Sequence, residues 1–138
     1  MMKELEAEQV GHVWTAIVDR PIIPAHCKPT ASGRSGAVAE FEGIVRETEG
    51  GRLIRGIEYE AFIPMAEKLL QEIGVSISKR HSIEELICLH RVGYVPVGEP
   101  SLYVYMSSEH RKPTFAAMTE FIDELKRIVP IWKRPIFE

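Results

Sequence analysis

The run Gly36-Ala37-Val38-Ala39-Glu40-Phe41-Glu42-Gly43-Ile44-Val45-Arg46 sets Ala37, Ala39 and Phe41 on one side of an extended chain, the period-two pattern of a strand. Glu49-Gly50-Gly51-Arg52 then supplies a glycine-rich hairpin turn, and residues 53–60 form the returning strand. The period changes at once afterwards. Met65, Leu69, Leu70, Ile73 and Ile77 recur at helical spacing, and Pro64 suits a first helical turn. This helix is expected to end near Arg80-His81-Ser82.

Upstream, residues 12–20 are dominated by β-branched and aromatic side chains and read as a first strand. Pro21, Pro24 and Pro29, then Thr30-Ala31-Ser32-Gly33-Arg34-Ser35-Gly36, make a connecting loop, with about residues 24–35 expected to be mobile. Downstream come a strand over 86–92, a turn through Gly93, Pro96, Gly98 and Pro100, and a strand over 101–107. A last helix starts near Pro113, with Phe115, Met118, Ile122, Leu125 and Val129 as its apolar stripe, and Pro130 stops it. The order ββαββα with short turns predicts an α+β fold with antiparallel sheet and two main helices, not a doubly wound parallel one.

The chain has 138 residues, the usual size of one domain, so residues 1–138 are taken as a single unit. A chain of this length buries about two-thirds of its unfolded surface, enough for a core without staples. At 45% hydrophobic and 27% charged, the composition is that of a soluble globular protein. No apolar run approaches a membrane span, and the start, Met1-Met2-Lys3-Glu4-Leu5-Glu6, lacks a secretory signal, so a cytoplasmic location is expected. A net charge of −3 gives no reason to expect nucleic acid or an anionic membrane. Acids crowd the beginning (Glu4, Glu6, Glu8), whereas the segment from Lys126 to Arg134 holds four basic residues and no acidic one. Such a local basic segment suits a small anionic ligand.

Lys126 follows Leu125 and borders the apolar stripe, where partial desolvation makes a lysine useful in proton transfer; an ordinary solvated helix lysine is the competing reading. Lys133 and Arg134 follow Pro130-Ile131-Trp132, a rigid exit that aims Lys133, or else a frayed basic tail. His110-Arg111 precedes the last helix, where free N–H groups favour anions, though a helix-entry loop needs no ligand to explain it. Arg46 ends its strand beside the glycine turn and is a less specific phosphate contact. Cys27 and Cys88 form no redox or metal spacing, and His12, His26, His81 and His90 show no ligand pattern, so no metal is expected. From the residues themselves comes a basic pocket around Lys126, Lys133, His110 and Arg111, which names no ligand.

Taken in order, these segments resemble the large, catalytic subunit of molybdopterin synthase. The pieces are Gly36-Ala37-Val38…Phe41-Glu42-Gly43-Ile44-Val45-Arg46, Tyr59-Glu60…Met65-Ala66, His90-Arg91-Val92-Gly93…Gly98-Glu99, Ser108-Glu109-His110-Arg111…Phe115 and Asp123-Glu124-Leu125-Lys126…Pro130-Ile131-Trp132-Lys133-Arg134. They span about residues 36–134. The resemblance implies an α/β-hammerhead-type α+β fold and a homodimer carrying a small ubiquitin-like sulfur-carrier subunit on each outer end, a heterotetramer. That partner delivers sulfur as a C-terminal Gly-Gly thiocarboxylate, and cyclic pyranopterin monophosphate receives two sulfurs to become the molybdopterin dithiolene. By the same resemblance Lys126 and Lys133 are the catalytic pair, and Ile44, Val45, Arg46, His110, Arg111 and Arg134 line the substrate pocket with Lys133, partly across the dimer interface. No cysteine, metal or cofactor is called for.

Two departures stand out. Pro135 occupies a place where the family usually has an acidic residue, removing a backbone N–H and a carboxylate neighbour for Lys133. The family also commonly continues into a tail containing a tryptophan, whereas this sequence ends at Glu138. A divergent, non-catalytic relative that binds a ubiquitin-like tail as an interaction module is the alternative reading.

Overall fold

The structure is a computed structural model and describes residues 12–138. The acidic run Glu4, Glu6 and Glu8 lies outside them. Strands β1 (Val13–Val18), β2 (Ala37–Ile44), β5 (Glu85–Arg91) and β7 (Pro100–Ser108) form one sheet in the order β1-β5-β7-β2. A second sheet is built on β4 (Arg52–Ala61), which pairs with β3 (Thr48–Glu49), β6 (Gly93–Pro96) and β8 (Ile131–Phe137). The helices are α1 (Pro24–Cys27), α2 (Ile63–His81) and α3 (Arg111–Ile128). The expected α+β class with two main helices holds.

Alternation along β1 and β5 explains the first sheet. Val13, Leu86 and Cys88 face α2 and α3 and join Leu70, Ile77, Phe121 and Leu125 in the main core. Ala16, Val18, Ile87 and Leu89 face the other way, where Ile22 and Cys27 of the proline-rich segment cover them. Strand β7 lies between β5 and β2 and is buried on both faces, so it is a continuous buried run. Strand β1 pairs with β5 in parallel, from Val13↔Leu86 to Val18↔Arg91, an exception to the antiparallel expectation. The first strand returns only after a long excursion through β2, β4 and α2, so no hairpin constrains its direction.

Several strand expectations are corrected. Residues 53–60 do not return along β2. Gly50 and Gly51, at φ +59° and +79°, make the hairpin turn, but the turn pairs only Thr48–Glu49 with Arg52–Leu53. Val45 is already buried with Ile54, Ile57 and Val95 in a separate core, which draws the chain out of the first sheet after Ile44. The segment read as a turn after Gly93 contains β6, and the exit after Pro130 is β8, neither expected as a strand. Pro135 sits on β8 opposite Ile57, at a sheet edge where a missing N–H is tolerated. In the connecting loop, residues 24–27 form a helical turn, and Ser32 and Ser35 donate hydrogen bonds to Glu84.

The helix stripes hold at Leu70, Ile73 and Ile77 and at Met118, Leu125 and Val129, but each departs at its first position. In α3 the buried residues are Thr114, Ala117, Met118, Phe121 and Leu125, while Phe115 is exposed. Thr114 Oγ1 donates to the His110 carbonyl at 2.8 Å and contacts Ser108 Oγ at 2.6 Å, fixing the first turn so that position 114, not 115, faces inward. In α2, Ala66 and Gly74 enter the core and Met65 does not. Gly74 lies so close to β1 that a Cβ there would meet Val13 at 2.8 Å.

Candidate active site

A cleft of about 410 Å³ opens between the two sheets and the C-terminal end of α3. Its apolar lining comes from Phe41, Ile57, Leu125, Val129 and Ile131. Lys126 reaches it from the last turn of α3, and Lys133 from β8. Pro130 breaks the helix between them, so the two ammonium groups arrive from different elements. Strand β8 holds Lys133 opposite Tyr59 of β4, and Tyr59 lines the same cleft. Ile44, Val45 and Arg46 line it from the end of β2, where Val45 is buried and pairs its backbone with Gly98 and Glu99.

Lys126 is exposed in the chain by itself, so within one copy it is the solvated helix lysine of the competing reading. Lys133 has a carboxylate neighbour after all: Glu49 of the glycine turn, whose Oε1 lies 3.9 Å from its Nζ.

Three sequence candidates do not reach this cleft within one chain. Arg134 follows Lys133 on an extended strand, so its side chain leaves from the opposite face. His110 and Arg111 stand at the N-terminal end of α3, fifteen residues from Lys126, which at 1.5 Å per residue is roughly 22 Å along the axis. Both are exposed, and His110 pairs with its neighbour Glu109. The single basic pocket inferred from the sequence is therefore not assembled by one copy.

His90 has no ligand spacing in the sequence, yet it lines the cleft. It is 6% exposed and shares the inward face of β5 with Leu86 and Cys88. Its Nδ1–H donates to the Arg91 carbonyl at 2.9 Å, and its ring meets Tyr59 edge-on, centroids 5.4 Å apart. Burial holds its pKa down at about 4; the nearby Lys126 charge pushes the same way, against the hydrogen bond to Arg91. The ring is thus neutral at physiological pH. The alternation Leu86, Cys88, His90 was the signal available, and it points into the core at the strand end nearest Lys126.

Cys27 and Cys88 are buried and free, neither lines the cleft, and burial raises both thiols. Among the described residues no group of three or more His, Cys, Asp or Glu is placed to hold a metal ion. None of their helices is long and apolar enough to cross a membrane.

Comparison with known proteins fits this arrangement. The MoaE protein family model matches residues 17–128. The molybdopterin synthase catalytic subunit of Staphylococcus epidermidis is 40% identical over 123 residues, covering 88% of this chain and 82% of that protein. The crystal structure of molybdopterin synthase from Staphylococcus aureus superposes with a TM-score of 0.81 at 38% identity, covering 88% of this chain and 90% of the other. A complex of subunits 1 and 2 of molybdopterin-converting factor from Helicobacter pylori shares the fold, with a TM-score of 0.71 at 20% identity over 89% of this chain and 88% of that one. The chain belongs to the MoaE family, the catalytic subunits of molybdopterin synthase in molybdenum-cofactor biosynthesis.

Proposed function

We propose that this chain works as a sulfurtransferase, moving two sulfurs from the C-terminal thiocarboxylate of a small ubiquitin-like carrier to cyclic pyranopterin monophosphate, with Lys126 and Lys133 as the catalytic pair. The observation that carries the reading is their convergence on one cleft from α3 and β8, with Arg46 on the same lining. Three cations on a partly apolar cleft suit a phosphate-bearing ring and an anionic tail. In each transfer a substrate C–S bond forms as a substrate C–O bond breaks, and water then cleaves the carrier C–S bond, its oxygen replacing sulfur on the acyl carbon to leave a carboxylate. The lysines offset the charge that develops on substrate and carboxylate, and either is placed to move a proton.

The separation of His110 and Arg111 from the cleft supports a homodimer in which a second copy brings them to it, and with two carriers the assembly is a heterotetramer. Ile44, Val45 and Arg46 then form the near wall of the pocket, and Arg134, on the far face of β8, belongs to its surroundings. The whole chain is proposed to act as one unit in the cytoplasm, supported by its two unpaired cysteines.

The test is reconstitution. The protein is incubated with thiocarboxylated carrier and cyclic pyranopterin monophosphate, and molybdopterin is measured after oxidation to its fluorescent derivative. Product formation is expected. A stable complex with the carrier and no product would instead identify an interaction module.

A further inference from the structure

The cationic groups on the cleft account for phosphate and thiocarboxylate but not for the ring they accompany. A pterin carries an exocyclic amino group and ring N–H groups, and each donor taken out of water needs an acceptor. Lys126, Lys133 and Arg46 offer donors only. Glu49 pairs with Lys133 at 3.9 Å in a partly exposed position, Ser101 Oγ donates to the Gly43 carbonyl, and the Thr48 and Tyr59 hydroxyls can donate as well as accept.

His90 is differently equipped. Its Nδ1–H is committed to the Arg91 carbonyl, which leaves Nε2 as the lone-pair nitrogen, and among the described residues Nε2 has no hydrogen-bond partner. The ring is fixed by Tyr59 on one side and by burial in the strand end. A neutral lone pair repels phosphate and thiocarboxylate and attracts N–H. Resting on the functional reading above, we infer that His90 is a specificity-determining residue, whose Nε2 accepts a hydrogen bond from a ring or amino N–H of the pterin and so seats the ring on the apolar lining. Burial also keeps the imidazole from becoming a further cation that would bind the phosphate end instead. A site built to receive a donor discriminates strongly against ligands that lack it.

The experiment measures binding of cyclic pyranopterin monophosphate to the whole protein and to His90→Leu and His90→Gln by calorimetry. Binding of the carrier protein, unmodified at its C-terminus, is measured alongside. His90→Leu is expected to weaken pyranopterin binding roughly ten- to hundred-fold, the effect of leaving one buried donor unpaired. Carrier binding should be unchanged, and His90→Gln, which restores a neutral acceptor, should recover part of the loss. In ¹⁵N-histidine-labelled wild-type protein, the Nε2 resonance of His90 should start in the unprotonated form and move on saturation with pyranopterin. If His90→Leu does not fold, that resonance alone decides. Wild-type affinity in a folded His90→Leu protein, or an unmoved Nε2 resonance, overturns the inference and leaves the functional reading standing. Failure of the wild type to bind pyranopterin at all overturns both.

Discussion

The Lys133 ammonium lies 3.9 Å from the Glu49 carboxylate, joining the last strand to the glycine turn on one cleft lining. The pair is partly exposed, at 54% and 33% for the two side chains, so its direct contribution to stability is small. Its effect on ligands is larger, because Glu49 opposes any anion that Lys133 would hold. Glu49→Gln should tighten pyranopterin binding by roughly two- to five-fold at low ionic strength, with the gain shrinking as salt is added. Titrations at two salt concentrations check this; unchanged affinity at both would show that Lys133 meets no substrate anion.

Lys126 and Lys133 are both exposed and outside the cores. Lys126→Ala and Lys133→Ala should therefore each abolish dithiolene formation, at least about a hundred-fold loss, since a positioned charge or proton donor is removed. Thermal stability should stay within about 0.5 kcal/mol of wild type. Normal product yield from either variant would remove that lysine from the chemistry.

The distance along α3 makes a second-copy prediction. If Arg111 of one copy serves the lysines of the other, Lys126→Ala and Arg111→Ala proteins are each inactive as homodimers. Mixed and allowed to exchange subunits, they form heterodimers in which one of two sites is intact. Activity in the mixture, absent from either variant alone, is the expected outcome, and a silent mixture argues against a shared site.

His90 also predicts an acid limb of stability. Its folded pKa, about 4, lies below the ordinary 6.5. Above pH 6.5 the ring is neutral in both folded and unfolded chains and contributes no pH dependence. Between pH 6.5 and 4 the unfolded chain takes up the proton and the folded chain does not, so stability falls as pH falls, by on the order of 3 kcal/mol in all. Urea midpoints measured across that window should decline less steeply in His90→Gln. Parallel curves would mean that other groups carry the acid sensitivity.

Gly56 lies in the middle of β4, between β6 and β8, next to the register shift at Ile54/Gly56. A Cβ there would come within 2.6 Å of the Tyr94 ring and of the Val95 carbonyl oxygen, and the backbone atom cannot move aside cheaply. Gly56→Ala should cost about 2–3 kcal/mol, as overpacking does elsewhere. Because the same pairing holds β8, sulfur transfer should fall along with the urea midpoint. An unchanged midpoint would refute the close approach.

The local signals survived folding well. Alternation at Ala37, Ala39 and Phe41 marked β2, paired positive-φ glycines made the turn, and Pro130 ended α3. Where residues are set by neighbours distant in sequence, the reading failed. Phe121 replaced Phe115 in the core because Thr114 and Ser108 fix the helix rotation. Strand β8, containing Pro135, is a strand because β4 offers it an edge, something no local propensity records.

The same division governs the site. By itself the sequence determined which groups were available: the basic pair Lys126 and Lys133, Arg46 beside the glycine turn, and the order of segments that carries the family resemblance. These follow from residue type and spacing, which are local properties of the chain. Only the tertiary structure decided that Lys133 faces the cleft while Arg134 does not, that His110 and Arg111 stand a helix length away, and that His90 and Glu49 join the lysines. The physical reason is that a side chain's direction and solvation depend on strand register, helix rotation and burial, and these are set by packing between elements far apart in the sequence.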